Sequence, residues 1–320
     1  MLAQLELTAW HWAGFVAVVL VFLALDLGVF HRDARVVKFK EALGWTALWF
    51  ALAFLFAFVL GPVLFPGWGK EETLEFITGY IIELSLSMDN VFVIALIFTY
   101  FAVPLQYQHR VLFWGILGAL LMRGAMIWLG TELITHFHWL LYVMGGFLVV
   151  TGIKMIFSDD EEVHPERNPL IRLAQKFFPI SKSFDGQRFL TTLDGRKALT
   201  PLALVLLMVE TTDLIFAVDS IPAIFAVTQK PFIVFTSNVF SILGLRSLFF
   251  VLAGAIDYFR YLKFGLSVVL IFIGAKMLVA PWYKISNGLS LGVVAGIILV
   301  SMIASIVTAR HETGSKEDPR

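Results

Sequence analysis

The stretch from Glu210 to Pro222, E-T-T-D-L-I-F-A-V-D-S-I-P, places the carboxylates of Glu210, Asp213 and Asp219 in a run that is largely apolar from Pro201 to Val227. A run of this length is sufficient to cross a bilayer as a helix. An ionised side chain at bilayer depth costs at least about 2.5 to 3.5 kcal/mol on insertion scales, so such residues mark functional sites by default. Three acids together predict a bound cation.

A second acidic motif, E-L-S-L-S-M-D-N from Glu83 to Asn90, lies in an earlier apolar segment. Glu83 and Asp89 are six residues apart, as are Asp213 and Asp219, and Asn90 corresponds to Ser220. A single intramembrane carboxylate can simply pair with an arginine on a neighbouring helix. Two motifs with the same spacing instead indicate two halves of one site.

The composition is that of a polytopic membrane protein: 59% of the residues are hydrophobic, 31 are Phe, and the mean hydropathy is +0.84. The formal net charge is zero, and nothing indicates a nucleic-acid partner. The chain has no Cys, which excludes disulfides, zinc thiolate sites and thiol redox chemistry. We therefore predict an all-α membrane protein in contact with the lipid bilayer.

Nine segments are long and apolar enough to be transmembrane helices. We predict spans at 10–30, 43–65, 76–101, 109–130, 139–157, 201–227, 232–256, 262–280 and 287–308. The first is too long for the core of a signal peptide and is interpreted as a retained span.

The Lys and Arg residues of the connecting segments predict the orientation. Only Lys70, Lys230 and Lys284 fall on one side. Seventeen fall on the other side: Arg32, Arg35, Lys38, Lys40, Arg110, Arg167, Arg172, Lys176, Lys182, Arg188, Arg196, Lys197, Arg260, Lys263, Arg310, Lys316 and Arg320. This asymmetry predicts an N-terminus outside the cell (periplasmic) and a cytoplasmic C-terminus.

The two acidic motifs belong to a longer internal repeat. Ile116-Leu117-Gly118 before Arg123 recurs as Ile242-Leu243-Gly244 before Arg246, and Gly152-Ile-Lys-Met recurs as Gly274-Ala-Lys-Met. Each unit would contain three helices, so the second copy enters the membrane from the opposite face, as in the inverted repeats of many secondary transporters. The predicted organisation is 1–70 (peripheral helices 1 and 2), 71–157 (first repeat), 158–199 (cytoplasmic loop), 200–281 (second repeat) and 282–320 (peripheral helix 9 and cytoplasmic tail).

The loop at 158–199 begins with the acidic run Asp159 to Glu162. We interpret it as a solvated linker with a short amphipathic helix near 169–178, in preference to a cytoplasmic sensor or a surface that gathers ions.

The ligand types restrict the ion. Carboxylate, amide and hydroxyl oxygens suit Mg, Ca or Mn rather than zinc or copper. The candidate metal ligands are Glu83, Asp89, Asn90, Glu210, Asp213, Asp219 and Ser220. Pro222 has no N–H to bond the carbonyl of Val218, which predicts either an opening of the helix near Asp219 or an ordinary proline kink.

Two intramembrane arginines, Arg123 and Arg246, need counter-charges. The carboxylates of the site are their expected charge partners. Protons, metal and arginine would then compete for the same negative charge, which would couple ion movement to protons; the alternative is that both arginines are static counter-ions.

These residues resemble the TerC family of integral membrane proteins, and are closest to its alkali-induced Alx branch. The resemblance rests on Glu83 to Val93, on Glu210 to Ala226, on Thr236-Ser-Asn238 and on Ile242 to Arg246. It implies manganese export across the bacterial inner membrane, with the seven candidate ligands at the acidic motif positions of the family.

We therefore predict an exporter of Mn2+, not an enzyme, with Mn2+ as transported substrate, protons as the second ion, no tightly bound cofactor and no specified oligomeric state. Export of another hard cation such as calcium is the nearest alternative. A non-transporting scaffold or sensor linked to metal or tellurite stress is a second. An intramembrane aspartyl hydrolase is disfavoured, because the site has more acids than a catalytic dyad needs.

Overall fold

The computed structural model describes residues 7–25, 38–157, 168–193, 195–253 and 261–316. The helices before the central loop are α1 (Ala9–Leu25), α2 (Phe39–Leu55), a π-helical turn (Phe56–Leu60), α3 (Gly61–Leu64), α4 (Lys70–Tyr100), α5 (Leu105–His136) and α6 (Leu140–Phe157). They are followed by α7 (Pro169–Phe177), strands β1 (Leu190–Leu193) and β2 (Arg196–Leu199), α8 (Pro201–Phe225), α9 (Pro231–Ala253), α10 (Leu262–Val279) and α11 (Asn287–Lys316).

Eight helical segments in the described part of the chain are long and apolar enough to cross a membrane. They correspond to the second to ninth predicted spans, and the chain is a helical polytopic membrane protein. The first predicted span coincides with α1, which has 17 residues, and its positions 26–30 lie outside the described residues. A ninth span therefore stays a prediction.

The helices extend beyond the apolar windows that predicted them. The third predicted span begins at 76, but α4 begins at Lys70, and α5 continues from the predicted end at 130 to His136. The first turns of α4 contain the buried polar residues Glu72, Thr73 and Glu75. Because these side chains find partners within the protein, the helix does not need an apolar sequence there.

The central segment departs from the predicted all-α fold. The strands β1 and β2 form an antiparallel hairpin, with Leu190 opposite Leu199 and Leu193 opposite Arg196. Gly195 adopts φ +75°, a conformation that suits a tight hairpin turn. The expected amphipathic helix is present as α7, and the Asn168 side chain caps it by accepting hydrogen bonds from two backbone N–H groups.

The same segment packs onto the membrane helices, so the interpretation of 168–199 as a solvated linker is wrong. Arg110 of α5 donates a hydrogen bond to Gln187 (3.3 Å) and lies over the ring of Phe189. Thr200, which caps α8, donates to the carbonyl of Arg188 at 2.7 Å. The residues just before β1 thus contact α5, and β2 leads directly into α8. The acidic run Asp159 to Glu162 lies outside the described residues.

Four helix pairs have the most extensive packing among the described residues: α6 with α10, α4 with α9, α2 with α9, and α5 with α8. Helix α9 is the most completely buried span, followed by α4. Phenylalanines of α1 and of the π-helical turn cover α9, with Phe15 and Phe56 both within 6.2 Å of Phe240 between ring centroids. The polar residues of α4 and α9 therefore lie at the centre of the molecule.

The pair α6 and α10 approaches closely through glycines. A Cβ atom at Gly152 would lie 2.8 Å from the carbonyl oxygen of Ser267, and one at Gly274 would lie 2.6 Å from that of Gly145. Any larger residue at either position would separate the two helices.

Helix α8 passes without interruption through Pro222. Of the two alternatives for this position, the opening near Asp219 is absent, and Pro222 is an ordinary proline within a helix. A proline removes one backbone hydrogen bond and can be accommodated in a membrane helix when its neighbours satisfy the freed carbonyl.

Candidate ion-binding site

The centre of the site is Arg123 of α5, whose side chain is only 2% exposed. Its guanidinium forms an ion pair with Glu83 of α4, which is fully buried. On the other side it donates two hydrogen bonds to Asp213 of α8, from Nη2 to Oδ1 at 2.9 Å and from Nε to Oδ2 at 3.3 Å. Nη1 also donates to the Ser220 hydroxyl at 3.3 Å. One arginine thus joins the two acidic motifs.

Helical spacing explains why α8 supplies two of these partners. Asp213 and Ser220 are seven residues apart, which is close to two turns, so both face α5. Asp219 is turned by roughly 120° from Asp213 on an α-helix, and Asp89 is turned by the same angle from Glu83. Asp89 and Asp219 are each partly exposed. The six-residue spacing that is common to the two motifs therefore directs their second acids away from Arg123.

Glu210 lies one turn before Asp213 and reaches α5 at a different point. Its carboxylate lies where a Cβ atom of Gly118 would be. The absence of a side chain at Gly118 therefore provides the space that Glu210 occupies, and gives this glycine of the repeat a local role. Glu210, Asp213 and Arg123 all lie along the contact between α5 and α8.

The charges of Glu83, Asp213 and Arg123 do not cancel. Glu83 and Asp213 carry two negative charges when ionised, and Arg123 carries one positive charge. A buried ion pair needs good geometry and further hydrogen bonds to offset the cost of desolvation. The paired donors on Asp213 and the Ser220 contact provide these.

The structure brings together four of the nine residues that were singled out: Glu83, Asp213, Ser220 and Arg123. Within the described ranges, no three His, Asp or Glu side chains converge as a metal centre would require. Seven ligands around one ion therefore stay a prediction. In this conformation the carboxylates of Glu83 and Asp213 bind the guanidinium of Arg123.

Arg246 lines a small cavity between α1, α2, α5 and α9. The residues that line this cavity with it include Phe22, Leu23 and Trp49, and none is a candidate acid. Asn90, by contrast, is buried in α4 two turns beyond Glu83.

Sequence reasoning missed a polar cluster at the beginning of α4. Lys230 forms ion pairs with Glu72 (2.6 Å) and Glu75 (3.1 Å), and Thr228 donates to Glu75 at 2.9 Å. These contacts attach α4 to the turn between α8 and α9. The acids three residues apart at the start of a span were the available signal.

Two residues of α9, Asn238 and Ser241, were also missed as site residues. Both are fully buried, in the helix that packs most extensively on α4. A polar side chain that interrupts an apolar span was the signal in the sequence.

Comparisons with known proteins agree with this architecture. The family model "Integral membrane protein TerC family" matches residues 68–313. The chain is 54% identical over 307 residues to "Uncharacterized membrane protein STKORF319" of Myxococcus xanthus, covering 96% of this chain and 95% of the relative. No solved structure matches it.

Two further relatives are each named "Putative membrane-bound redox modulator Alx". The one from Salmonella typhi is 46% identical over 297 residues, covering 91% of this chain and 92% of the relative. The one from Escherichia coli strain K12 is 45% identical over 307 residues, covering 94% and 96%. The match of the family model to most of the chain, and these relatives, show that the chain belongs to the TerC family of integral membrane proteins.

Proposed function

We propose that this protein exports Mn2+ from the cytoplasm across the bacterial inner membrane by alternating access, with protons as the coupling ion. The observation that carries the proposal is the buried Arg123 between Glu83 of the first acidic motif and Asp213 of the second. A membrane helix bundle rarely retains such a group without a role in an ion pathway. The same two carboxylates are the ligands that a hard divalent cation would use.

The charge balance favours exchange between arginine and metal. Arg123 neutralises one of the two carboxylates, whereas a divalent cation would neutralise both. When the cation binds, the guanidinium would move aside, and when the cation leaves, it would return. Arg123 would thereby keep the empty site from holding two uncompensated buried charges, for which the energetic cost is high.

The contacts between helices support an inverted repeat as the framework. If the helices α4, α5 and α6 correspond to α8, α9 and α10, a two-fold axis exchanges the pair α4 and α9 with the pair α8 and α5. Both pairs are among the most extensive in the bundle. Gly152 corresponds to Gly274, and Gly145, seven residues earlier, corresponds to Ser267. The contacts of Gly152 with Ser267 and of Gly274 with Gly145 are then equivalent.

The test is flux in proteoliposomes that contain only the purified protein. We expect Mn2+ to move down an imposed gradient, with an internal pH dye reporting movement of protons. The variants Glu83→Gln and Asp213→Asn, which remove the two carboxylates that contact Arg123, should each abolish flux and remain folded. Wild-type flux in both would refute the carboxylate site.

Ca2+, Mg2+ and Zn2+ should be measured beside Mn2+. The oxygen ligands suit Ca2+ as well as Mn2+, because hard-cation sites differ in cavity size and ligand number. A Ca2+ flux larger than the Mn2+ flux would support the transport mechanism but identify Ca2+ as the substrate.

A second candidate is a membrane scaffold or sensor, which the name of the Alx relatives favours. This chain has no cysteine, so a redox effect would not act through its own thiols. Such a protein would leave every cation gradient unchanged in the same proteoliposomes.

A further inference from the structure

Four side chains at the contact of α4 with α9 have buried polar atoms without a hydrogen-bond partner among the described residues. They are Ser87 Oγ and Asn90 Oδ1 on α4, and Ser241 Oγ and both amide atoms of Asn238 on α9. The residues are 0%, 4%, 0% and 1% exposed, respectively. A buried amide or hydroxyl without a partner is costly because it has lost its hydrogen bonds to water, so four such side chains need a physical reason.

Neighbouring serines on the same helices show that this arrangement is not imposed by the helix. Ser85 donates to the carbonyl of Ile81 at 2.6 Å, and Ser247 donates to that of Gly244 at 2.9 Å. A buried Ser ordinarily satisfies its hydroxyl in this way. Ser87 and Ser241 do not form such a bond and leave their oxygens available.

The packing of α4 on α9 places the four side chains near one another. The two helices run in the same direction, because Glu72 pairs with Lys230 near their beginnings and Phe98 contacts Phe249 near their ends. Between these points, a Cβ atom at Gly79 would lie 3.0 Å from Ser237 Oγ. The next turns of both helices therefore lie at similar depths.

Helical periodicity places the polar residues on the facing sides. On α4, Glu83, Ser87 and Asn90 follow Gly79 within an arc of about 80°. On α9, Asn238 and Ser241 follow Ser237 within an arc of about 100°. Glu83 thus lies at the same contact as the four neutral side chains, while its carboxylate also meets Arg123.

We propose that Asn238 and Ser241, with Ser87 and Asn90, form the neutral oxygen half of the cation site, with Glu83 as its carboxylate ligand. This inference rests on the proposed function and assigns a role to α9, which carries no acid of either motif. The amide oxygen of Asn238 and the hydroxyl of Ser241 suit a hard divalent cation. The Nδ2 group of Asn238 is a donor that a carboxylate of the site can accept.

This half of the site also determines which cations are accepted. Carboxylates attract any divalent cation, whereas the number and spacing of neutral oxygens decide how much of its hydration shell can be replaced. The four side chains are therefore specificity-determining residues of the site.

The test is direct binding of Mn2+ to the purified full-length protein in detergent. Binding is monitored as the loss of the free-ion signal in electron paramagnetic resonance. Removing one oxygen by Ser241→Ala or Asn238→Ala should raise the Kd for Mn2+ by about 10- to 100-fold. The matched controls Ser247→Ala and Ser85→Ala remove hydroxyls that already have partners, and they should leave the Kd unchanged. Ser241→Ala removes a single oxygen, so it tests the inference even if Asn238→Ala does not fold.

The outcomes separate this inference from the proposed function. If Ser241→Ala and Asn238→Ala bind Mn2+ as the wild type does, the neutral half-site is wrong even when flux is present. If the wild type binds Mn2+ but transports nothing, and the two variants lose binding, the neutral half-site is supported and the transport function is refuted. A wild type that binds none of Mn2+, Ca2+ and Mg2+ would overturn the half-site.

Discussion

Arg123 donates two hydrogen bonds to the two carboxylate oxygens of Asp213, at 2.9 and 3.3 Å, across the contact of α5 with α8. This two-point geometry is the strongest that an arginine makes with a carboxylate, and lysine cannot reproduce it. Glu83 occupies the other side of the same guanidinium. These contacts therefore hold the Arg123 guanidinium firmly between the two acids.

The first prediction concerns this pairing. Arg123→Gln should destabilise the protein by about 3 to 5 kcal/mol, because it leaves two buried carboxylates without a counter-charge. Mn2+ at 100 times its Kd should restore about 2.7 kcal/mol of this lost stability. The measurement is the thermal unfolding midpoint in detergent with and without Mn2+. Arg196→Gln, at an exposed position of β2, is the control. An Arg123→Gln variant as stable as the wild type would show that Arg123 does not neutralise the two acids.

The second prediction concerns Gly118. Gly118→Ala would place a methyl group where the carboxylate of Glu210 lies, so Glu210 must move. We expect Mn2+ flux to fall by about tenfold or more, because binding sites tolerate displacements of only about 0.5 Å. Gly146→Ala is the matched control, since a Cβ atom there meets nothing within 4 Å. Equal flux in the two variants would remove Glu210 from the site.

The third prediction concerns Lys230 at the beginning of α4. Burial lowers the pKa of Lys230, but its hydrogen bonds and charge interactions with Glu72 and Glu75 outweigh this and raise the pKa above its ordinary value. While Glu72 and Glu75 are ionised, the contribution of Lys230 to stability is therefore fully present below the ordinary lysine pKa of about 10.4, and it is lost as the pH rises through the raised value.

Lys230→Met should accordingly lower the free energy of unfolding by about 1.5 to 3 kcal/mol at neutral pH, which is typical of hydrogen bonds to charged groups. The difference from the wild type should shrink above pH of about 10.4. Unfolding measured from pH 7 to 11 checks this, with the exposed Lys284→Met as control. A difference that persists unchanged at the alkaline end would argue against the ion pairs as its cause.

The fourth prediction concerns the inverted repeat. Lys154 follows Gly152 near the end of α6, and Lys276 follows Gly274 near the end of α10. The glycine contacts show that these two helices are antiparallel, so the lysines lie at opposite ends of the pair. Because the chain has no natural cysteine, cysteines introduced at each position can be labelled with a membrane-impermeant reagent. We expect position 154 to react only from the cytoplasm and position 276 only from outside; labelling from the same side would contradict the topology.

The sequence predicted the membrane class, and apolar runs indicated eight helices that the structure contains. It also singled out Glu83, Asp213, Ser220 and Arg123. It left open whether α8 opens near Pro222, and so whether Asp219 joins the other acids; on the continuous helix the six-residue spacing turns Asp89 and Asp219 away from Arg123.

The remaining differences have a common physical reason. Hydropathy reports which segments enter the membrane, but it does not report which polar groups find partners inside the protein. The early start of α4, the ion pairs of Lys230 and the unpaired atoms of Asn238 all depend on contacts between residues far apart in the chain. The hairpin was missed for another reason, since Asp194-Gly195 between two short strands is a turn signal that was not used.

The docked hairpin has a mechanical consequence. The segment that leads into it contacts Arg110 of α5, and β2 continues through Thr200 into α8, while Arg123 and Asp213 join the same two helices deeper in the bundle. Two separate attachments therefore join α5 to α8, while α4 packs extensively on α9. Glu83 connects this second pair of helices to Arg123 of the first. If a transport cycle separated the two pairs, the contact of Glu83 with Arg123 would break while that of Asp213 would be kept.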